Sequence, residues 1–362
     1  MKVMTIVGTR PDLIKLSEII KRFDRRFNHV LVHTGQNNDP LLTDVFINEL
    51  VRKPDYNLCA ADDTLGKTLS KIMVETENVI LAEKPDAVVI LGDTNSSLAG
   101  IIVKRYKIPL FHLEAGNRCF DDNVPEEVNR RIIDHIADVN LAFSENARRY
   151  LISEGRPKDR TFLMGSPMKE VIVANLKRIK KSKILKELKI KNYYLVSIHR
   201  NENLENIQNF TNIVVAINSL AKVTNSPVVV TVHPHTQKKI TEYNIKFDKR
   251  VKLCAPFGFI NYARLQQKAT CVISDSGTVA EESAILGFPA VTVRNAMERP
   301  EAIDNGSILL VQPDAEAIIQ AVCSAKAPTS IPIEYDIDNC SDRVINIVQG
   351  YTGYVKRYVW HE

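Results

Sequence analysis

The segment Val3-Met4-Thr5-Ile6-Val7-Gly8-Thr9-Arg10-Pro11 joins a β-branched run to a glycine turn and a proline. Proline is tolerated in the first turn of a helix. The apolar residues that follow, Leu13, Leu16, Ile20 and Phe23, share one helical face. The segment therefore predicts a strand, a loop and one helix, the building block of a parallel sheet.

The same alternation of short apolar runs and helical patterns continues along the chain and predicts two α/β domains. Before a basic stretch at 177–191, strands are predicted at 3–7, 29–33, 87–91, 108–113 and 139–143. After it, strands are predicted at 193–198, 227–232, 251–254, 271–274 and 289–293. A terminal helix is predicted at 341–357, with its apolar residues placed to return onto the first domain.

The composition is that of a globular protein with two domains. The chain has 362 residues, of which 44% are apolar and 25% charged, and this excludes disordered and fibrous classes. The net charge of +5 comes from the 177–191 stretch. No aromatic residues alternate with its charges, so we expect a solvated helix face and no nucleic-acid partner.

The cysteines and the apolar runs give an expected location. Six widely scattered cysteines form no C-x-x-C pair, so neither a zinc site nor a disulfide framework is predicted. The N-terminal run at residues 1–7 is too short for the apolar region of a signal sequence, and no apolar run in the sequence is long enough to span a membrane. We therefore expect a cytoplasmic protein without a membrane partner.

Two strands of the first domain end in a carboxylate. Asp93 follows the 87–91 strand, and Glu114 follows the 108–113 strand. Functional groups gather beyond the carboxyl ends of parallel strands, and half-buried acids are costly unless paired or functional. The loop at 8–12, with Lys15, adds cations and a helix N-terminus suited to an anion, or is a plain turn with solvated cations.

Three further candidates can each be interpreted as functional or as purely structural residues. Glu126, in the run Pro125-Glu126-Glu127, is either a third functional carboxylate beside Asp93 and Glu114 or a first-turn acid that interacts favourably with the helix dipole. His199 ends a strand and is an acid or base near neutral pH, or a structural histidine. His233-Pro234-His235 has a metal-like spacing without a third ligand, so we expect a structural or substrate-contacting role.

The second domain carries a phosphate-binding pattern. Ser276, Gly277 and Thr278 end a strand and begin a helix, where backbone N–H groups can approach a diphosphate. Glu282 can accept hydrogen bonds from ribose hydroxyls, and Arg299 faces the same anion. An ordinary capped helix with a solvated turn is the alternative. Together with the acids of the first domain, the pattern predicts a nucleotide-sugar site.

The chain resembles the non-hydrolysing UDP-N-acetylglucosamine 2-epimerase family over nearly its whole length. The matching segments are Gly8-Thr9-Arg10-Pro11, His33-Thr34-Gly35-Gln36, Gly92-Asp93-Thr94, Glu114-Ala115-Gly116, Pro125-Glu126-Glu127 with Asn129-Arg130, His199-Arg200, Asp275-Ser276-Gly277, Glu281-Glu282 and Glu298-Arg299-Pro300-Glu301-Ala302. The resemblance implies a GT-B-like fold with two Rossmann-type domains whose parallel sheets face a deep cleft, and a homodimer. The expected domains are 1–170 on the sugar side, 171–340 for UDP, and 341–362 as a helix packing back.

The resemblance also implies roles for the candidate residues. Asp93, Glu114 and Glu126 would exchange protons at C2 of the sugar, with Lys15 and His199 as further catalytic residues. The residues expected to bind the substrate are Arg10, Lys15, Arg130, His199, His233, Phe257, Tyr262, Ser276, Gly277, Thr278, Glu282 and Arg299. No metal and no redox cofactor is expected, because UDP leaves and adds back through a 2-acetamidoglycal.

Several departures from the N-acetylglucosamine members resemble the branch that makes UDP-N-acetyl-L-fucosamine for capsule and O-antigen. They are the short run 118–125, Asn117, the loop 256–259 and the segment 351–360. That branch epimerises UDP-2-acetamido-2,6-dideoxy-L-talose. Asp12 replaces a usual Glu, and Asn37-Asn38 replace a His or aromatic residue at a region where some relatives bind an activating nucleotide sugar.

Four other functions remain open at this point. A UDP-N-acetylglucosamine 2-epimerase would make UDP-N-acetylmannosamine. A GT-B glycosyltransferase shares the architecture but has no evident use for three carboxylates. A hydrolysing epimerase would release free sugar. A nucleotide-sugar sensor would tolerate loss of the acids.

Overall fold

A computed structural model of the chain describes residues 1–36 and 40–362, without the side chains of 40–42. Asn37 and Asn38 lie outside the described residues. The chain divides into two compact units, the first formed by Met1–Val171 and Asp336–Glu362 and the second by Ile172–Tyr335. Among the described residues, no helix is long and apolar enough to cross a membrane.

The first unit is built on a parallel sheet of seven strands in the order β3-β2-β1-β4-β5-β6-β7. The strands are Lys2–Val7 (β1), Asn28–His33 (β2), Tyr56–Asn57 (β3), Ala87–Leu91 (β4), Leu110–Leu113 (β5), Val139–Ala142 (β6) and Thr161–Leu163 (β7). Its helices are Arg10–Lys15 (α1), Ser17–Arg26 (α2), Pro40–Leu50 (α3), Leu65–Glu83 (α4), Gly100–Arg105 (α5), Pro125–Ile136 (α6) and Glu145–Ser153 (α7), with 3₁₀ turns at Asn95–Ala99 and Lys158–Arg160.

The prediction of one helix after β1 is wrong, because α1 and α2 are separate helices that meet at Leu16. The Ser17 hydroxyl donates to the Ile14 carbonyl at 2.8 Å, and such a local bond competes with the regular helical pattern. Leu13, Leu16, Ile20 and Phe23 are nevertheless fully buried. The apolar pattern therefore describes the buried face correctly but misses the break.

The second unit is built on a parallel sheet of six strands in the order β10-β9-β8-β11-β12-β13. The strands are Tyr194–Ser197 (β8), Val228–Thr231 (β9), Val251–Cys254 (β10), Cys271–Ser274 (β11), Ala290–Val293 (β12) and Leu309–Val311 (β13). The helices from the unit boundary onward are Met168–Lys181 (α8), Ile184–Glu187 (α9), Asn201–Leu204 (α10), Ile207–Val223 (α11), Pro234–Glu242 (α12), Phe259–Lys268 (α13), Val279–Leu286 (α14), Pro300–Asp304 (α15) and Ala315–Ser324 (α16). The prediction of two parallel α/β sheets is confirmed.

The last helix, Cys340–Tyr358 (α17), belongs to the first unit and packs on α2. Arg22 of α2 forms an ion pair with Asp342. The Cys340 thiol donates to the Gly165 carbonyl at 3.5 Å. The first unit is therefore built from two segments of the chain, one before and one after the second unit.

The strand order changes direction next to the first strand of each sheet. In the first unit β1 lies between β2 and β4, and in the second β8 lies between β9 and β11. In open parallel sheets, ligands bind beyond the carboxyl ends of the strands at such points. Functional groups are therefore expected on the loops after β1, β4 and β5 and on those after β8 and β11.

Candidate active site

The loops after β1, β2 and β4 are in direct contact through Gly8. A methyl group on Gly8 would lie 1.7 Å from the Ser96 hydroxyl oxygen, so only glycine fits there. Ser96 in turn bonds the Thr34 hydroxyl at 2.6 Å and donates its backbone N–H to Gln36 Oε1 at 2.8 Å. These side chains tie the three loops together at the carboxyl edge of the sheet.

Asp12 occupies the donors that were predicted to face an anion. Its carboxylate accepts from the backbone N–H groups of Gly8 and Thr9 at 2.9 and 3.0 Å. Burial raises the pKa of Asp12 from its ordinary 3.8 to about 6, and the two N–H bonds counter only part of that effect. The guanidinium carbon of Arg10 lies 5.8 Å from the centroid of the Phe46 ring. These two N–H groups are thus engaged within the protein.

The raised pKa of Asp12 predicts a pH dependence of stability. The folded state binds the Asp12 proton more tightly than the unfolded chain, so this group favours folding below pH 4 and loses that contribution as pH rises through 6. The difference between the two pKa values corresponds to about 3 kcal/mol in the free energy of unfolding. The free energy of unfolding of the wild type and of Asp12→Asn is measured by denaturant titration at pH 4 and pH 7. Relative to the variant, the wild type should be more stable at pH 4 than at pH 7. An equal difference at both pH values would contradict this.

Asp93, after β4, is held by the guanidinium of Arg130 from α6. Arg130 Nη2 and Nε donate to Asp93 Oδ2 at 2.6 and 3.1 Å. Asn129 donates to the Asp93 backbone carbonyl at 2.9 Å. The Asp93 side chain is still 27% exposed, so its carboxylate is within reach of a bound molecule.

Glu127, which sequence reasoning passed over in favour of Glu126, is the buried acid of this group. It accepts from Arg130 Nη1 at 2.6 Å, from the Cys119 N–H at 3.1 Å and from Arg131 at 3.2 Å. Burial raises the pKa of Glu127, but the Cys119 and Arg130 hydrogen bonds outweigh it and leave the pKa below its ordinary value. Glu126 is half-buried. The i, i+3 spacing of Glu127 and Arg130 was the available signal for this pair.

Glu114 and Lys15, two predicted catalytic residues, form an ion pair. Lys15 Nζ lies 2.7 Å from Glu114 Oε2, and the lysine side chain is only 1% exposed. The ammonium also lies 5.4 Å from the centroid of the Phe143 ring. Glu114 has the left-handed φ of 63°, and Asn117 donates to its other oxygen at 3.4 Å. A strained backbone at a paired carboxylate is a common feature of functional loops.

In the second unit, Asp275 organises the strand end that carries His199. Its buried carboxylate accepts from the backbone N–H groups of His199 and Arg200 at 3.1 and 2.9 Å and from Asn203 at 3.1 Å. Burial raises the pKa of Asp275, but the nearby His199 and these hydrogen bonds lower it to about 2. The His199 and His233 rings lie 5.1 Å apart.

The loop of Ser276, Gly277 and Thr278 runs close beside two arginines. A methyl group on Gly277 would lie 2.7 Å from Glu298 Oε1, 3.6 Å from Arg299 Nε and 3.7 Å from Arg200 Nη2. The Ser276 and Thr278 hydroxyls are 3.1 Å apart at the start of α14. The hydroxyls and the guanidinium groups of Arg200 and Arg299 suit an anion, while the Glu298 carboxylate lies beside the same glycine.

The remaining predicted contacts lie elsewhere in the second unit. Glu282 accepts from the Gln266 amide at 2.5 Å, and Arg299 pairs with the buried Glu281. Phe257 and Tyr262 pack, partly buried, against the apolar cluster that contains α13 and α14 residues. Arg200, placed beside Gly277 in the structure, was missed as a site residue although it directly follows His199.

Comparisons with known proteins give a consistent result. A family model described as UDP-N-acetylglucosamine 2-epimerase matches residues 21–349. A structure of UDP-N-acetylglucosamine 2-epimerase from Rickettsia bellii has 42% identity and a TM-score of 0.92, covering 100% of both chains. A crystal structure of the Methanocaldococcus jannaschii UDP-GlcNAc 2-epimerase in complex with UDP-GlcNAc and UDP has 33% identity and a TM-score of 0.89, covering 96% of this chain and 99% of that one. The Pseudomonas aeruginosa UDP-2,3-diacetamido-2,3-dideoxy-D-glucuronate 2-epimerase is 32% identical, covering 91% of this chain and 93% of its own.

Proposed function

Because the chain belongs to the UDP-N-acetylglucosamine 2-epimerase family, we propose that it interconverts UDP-2-acetamido-2,6-dideoxy-L-talose and UDP-N-acetyl-L-fucosamine for surface polysaccharide synthesis. Family membership makes it a UDP-sugar 2-epimerase, a non-hydrolysing isomerase. The observation that carries the proposal is the pair of carboxylates, Asp93 and Glu114, on loops after the adjacent strands β4 and β5, each beside its own cation.

The chemistry follows from the weak acidity of the sugar C2–H. No carbonyl is conjugated to C2, so direct removal of its proton would leave an unstabilised carbanion. We propose that the C1–O bond breaks with the loss of the C2 proton, which gives UDP and a 2-acetamidoglycal with a C1=C2 double bond. Return of a proton to the opposite face of C2 and of UDP to C1 gives the epimer, with no water consumed.

The acids of the first unit are proposed to exchange the C2 proton. Asp93, Glu114 and Glu126 take this role, and general acid–base catalysis of this kind is worth roughly 10²- to 10⁴-fold. The Arg130 and Lys15 cations, which lie beside Asp93 and Glu114, would also stabilise the negative charge that develops as UDP leaves. The domain span 1–170 therefore carries the sugar chemistry in this proposal.

The second unit is proposed to bind UDP through the Ser276–Thr278 loop. Its hydroxyls and backbone N–H groups, with Arg299 and His199, would bind the diphosphate. Glu282 would bind the ribose, and Tyr262 and Phe257 the uracil. We also infer that the protein works as a homodimer, which light scattering tests directly.

The L-talo substrate is supported by the resemblance of four segments to that branch. One of them, Asn117, donates to Glu114 at 3.4 Å, so a residue that differs between branches touches a proposed catalytic acid. UDP-N-acetylglucosamine is the second candidate, favoured by the name of the Rickettsia bellii relative at 42% identity. The Pseudomonas aeruginosa relative has a different sugar in its name at 32% identity, so the sugar varies among relatives this similar.

Product analysis separates these substrates. The purified protein is incubated with UDP-N-acetyl-L-fucosamine or with UDP-N-acetylglucosamine, and the sugar H1 and H2 signals are followed by proton NMR. We expect a second UDP-sugar only from the L-fucosamine compound. Formation of UDP-N-acetylmannosamine alone would assign the second candidate. Accumulation of UDP with free sugar, or release of UDP only when an acceptor sugar is added, would refute epimerisation in favour of hydrolysis or glycosyl transfer.

A further inference from the structure

His112, at the end of β5, is a fully buried histidine to which the proposed chemistry gives no role. Its Nδ1 lies 2.8 Å from Asp134 Oδ1 on α6, and its Nε2 lies 2.8 Å from the backbone carbonyl oxygen of Gly92. The His112 and Asp134 side chains are both 0% exposed. The ring therefore bridges helix α6 and the loop after β4 without contact with solvent.

Asp134 collects the other donors of this cluster. It accepts from the Gly116 backbone N–H at 3.1 Å and from Arg118 Nη1 at 2.7 Å, in addition to His112. Burial raises the pKa of Asp134, but the hydrogen bond and charge of His112, with the Arg118 charge, bring it below its ordinary value. Asp134 is therefore a carboxylate that only accepts. The Gly92 carbonyl also only accepts, so each His112 ring nitrogen faces an acceptor, one on α6 and one on the loop after β4.

The two ends of this bridge lie next to the two paired carboxylates. Gly92 directly precedes Asp93, and Gly116 follows Glu114 by two residues. Gly92, Glu114 and Gly116 all have left-handed φ angles, of 75°, 63° and 85°. Glycine adopts this conformation readily, but Glu114 keeps it only because the surroundings enforce it. A backbone hydrogen bond from the Gly92 N–H to the Leu113 carbonyl, at 3.0 Å, also holds the loop after β4 to the end of β5.

Helix α6 provides the platform for both loops. Glu127, Arg130 and Asp134 are spaced at i, i+3 and i+7, which places them on one helical face. Arg130 binds Asp93 directly, while Asp134 binds the Glu114 loop and reaches the Asp93 loop through His112. The same face therefore contacts both acid-bearing loops through buried charged groups.

We propose that His112 and Asp134 are positioning residues that hold the Asp93 and Glu114 loops at a fixed separation, so that both carboxylates reach the same substrate carbon. This inference rests on the proposed function and deepens it, because it assigns the alignment of the acids to residues that touch no substrate. Misplacing a reacting group by about 1 Å can cost on the order of 10²-fold in rate. The bridge should accordingly act on kcat and leave the affinity for UDP unchanged.

The two halves of the bridge can be cut separately. In His112→Asn the amide nitrogen takes the place of Nδ1 and keeps the Asp134 bond, whereas in His112→Gln it takes the place of Nε2 and keeps the Gly92 bond. His112→Leu removes both. His135→Leu, on the exposed side of the same helix, is the matched control. We expect kcat to fall about 10²-fold in His112→Leu, and less in the Asn and Gln variants. KM and UDP affinity should stay within about 3-fold of the wild type in all four.

Coupling to Asp93 distinguishes positioning from general stability. His112→Leu should add little to the loss already caused by Asp93→Asn, because both changes disable the same carboxylate. Full additivity, or a kcat that stays at the wild-type level in folded His112→Asn and His112→Gln, would overturn the proposal. If His112→Leu fails to fold, the Asn and Gln variants decide the outcome by the same criterion.

Failure of the proposed function gives a different result from failure of the bridge. If the wild type epimerises no UDP-sugar, the function is refuted whatever His112 does. The bridge then has its own readout in amide hydrogen exchange, where the folded His112 variants should exchange faster than the wild type at Gly92 and Gly116, and His135→Leu should not. Unchanged exchange at both amides would overturn the bridge even in an active enzyme.

Discussion

Epimerisation by Asp93→Asn is expected to fall roughly 10²- to 10⁴-fold while UDP still binds with wild-type affinity. Asparagine keeps the size of the side chain but cannot accept the C2 proton. It also removes the charge that faces Arg130 at 2.6 Å. The proposed UDP-binding residues Ser276–Thr278 and Glu282 belong to the other unit, so binding should survive. Initial rates by NMR and UDP titration by calorimetry measure the two properties on the same sample.

Asp122→Asn is the matched control for this change. Asp122 lies near α6 with a side chain that is 80% exposed, and its ion pair with Arg131 is 3.5 Å long. Ion pairs this exposed contribute little. The control should therefore turn over at the wild-type rate. Wild-type turnover in Asp93→Asn as well would remove Asp93 from the catalytic assignment.

Gly116→Ala is expected to cause the largest loss of stability among simple substitutions at the site, about 3 kcal/mol or more. Gly116 has a φ of 85°, which alanine adopts only with strain. Its new methyl group would also lie 2.3 Å from the Ala147 carbonyl oxygen and 2.8 Å from Leu151 Cγ. The carbonyl belongs to α7 and cannot move aside cheaply. Chemical denaturation followed by circular dichroism measures the change.

Two other glycines separate the causes of that loss. Gly155 also has a left-handed φ, of 81°, but an added methyl group would meet nothing within 4 Å, so Gly155→Ala should show only the backbone strain of about 1–2 kcal/mol. Gly66, in α4, has neither problem, and Gly66→Ala should be neutral or slightly stabilising. A Gly116→Ala variant no less stable than Gly155→Ala would show that the loop after β5 is not packed as described.

Nine of the ten strands predicted from sequence are interior strands of their sheets, and the tenth, β10, lies at an edge. Ala87–Leu91, for example, is buried along its whole length and is a continuous apolar run. The three strands that were missed, β3, β7 and β13, each lie at a sheet edge. Leu309 and Leu310 of β13 are 41% and 38% exposed. Short edge strands carry little apolar pattern, so their pairing is decided by the rest of the sheet.

The site residues that follow strands were predictable, but their partners were not. Asp93 and Glu114 stand directly after buried strands, where parallel sheets concentrate functional groups. The ion pair of Lys15 with Glu114 joins residues 99 positions apart, and no local pattern could indicate it. The choice between Glu126 and Glu127 depended on which face α6 turns inward. That orientation is set by packing on the sheet and not by the first turn alone.

The second unit shows the same limit. The Ser276–Thr278 loop was predicted from its small residues before a helix. The role of Asp275, which collects three donors from the end of β8 and the start of α10, depends on β8 and β11 being neighbours in the sheet. That pairing brings together residues 75 positions apart. Strand order, rather than local pattern, therefore creates this part of the site.

The most direct test of the account is hydrogen exchange at C2 in D₂O. UDP-N-acetyl-L-fucosamine is incubated with the wild-type protein, with Asp93→Asn and without protein, and C2 deuteration is followed by proton NMR and mass spectrometry. We expect deuterium to enter C2 only with the wild type, as UDP-2-acetamido-2,6-dideoxy-L-talose appears and total UDP-sugar stays constant. Appearance of the epimer without solvent deuterium at C2 would contradict proton exchange by Asp93, Glu114 and Glu126.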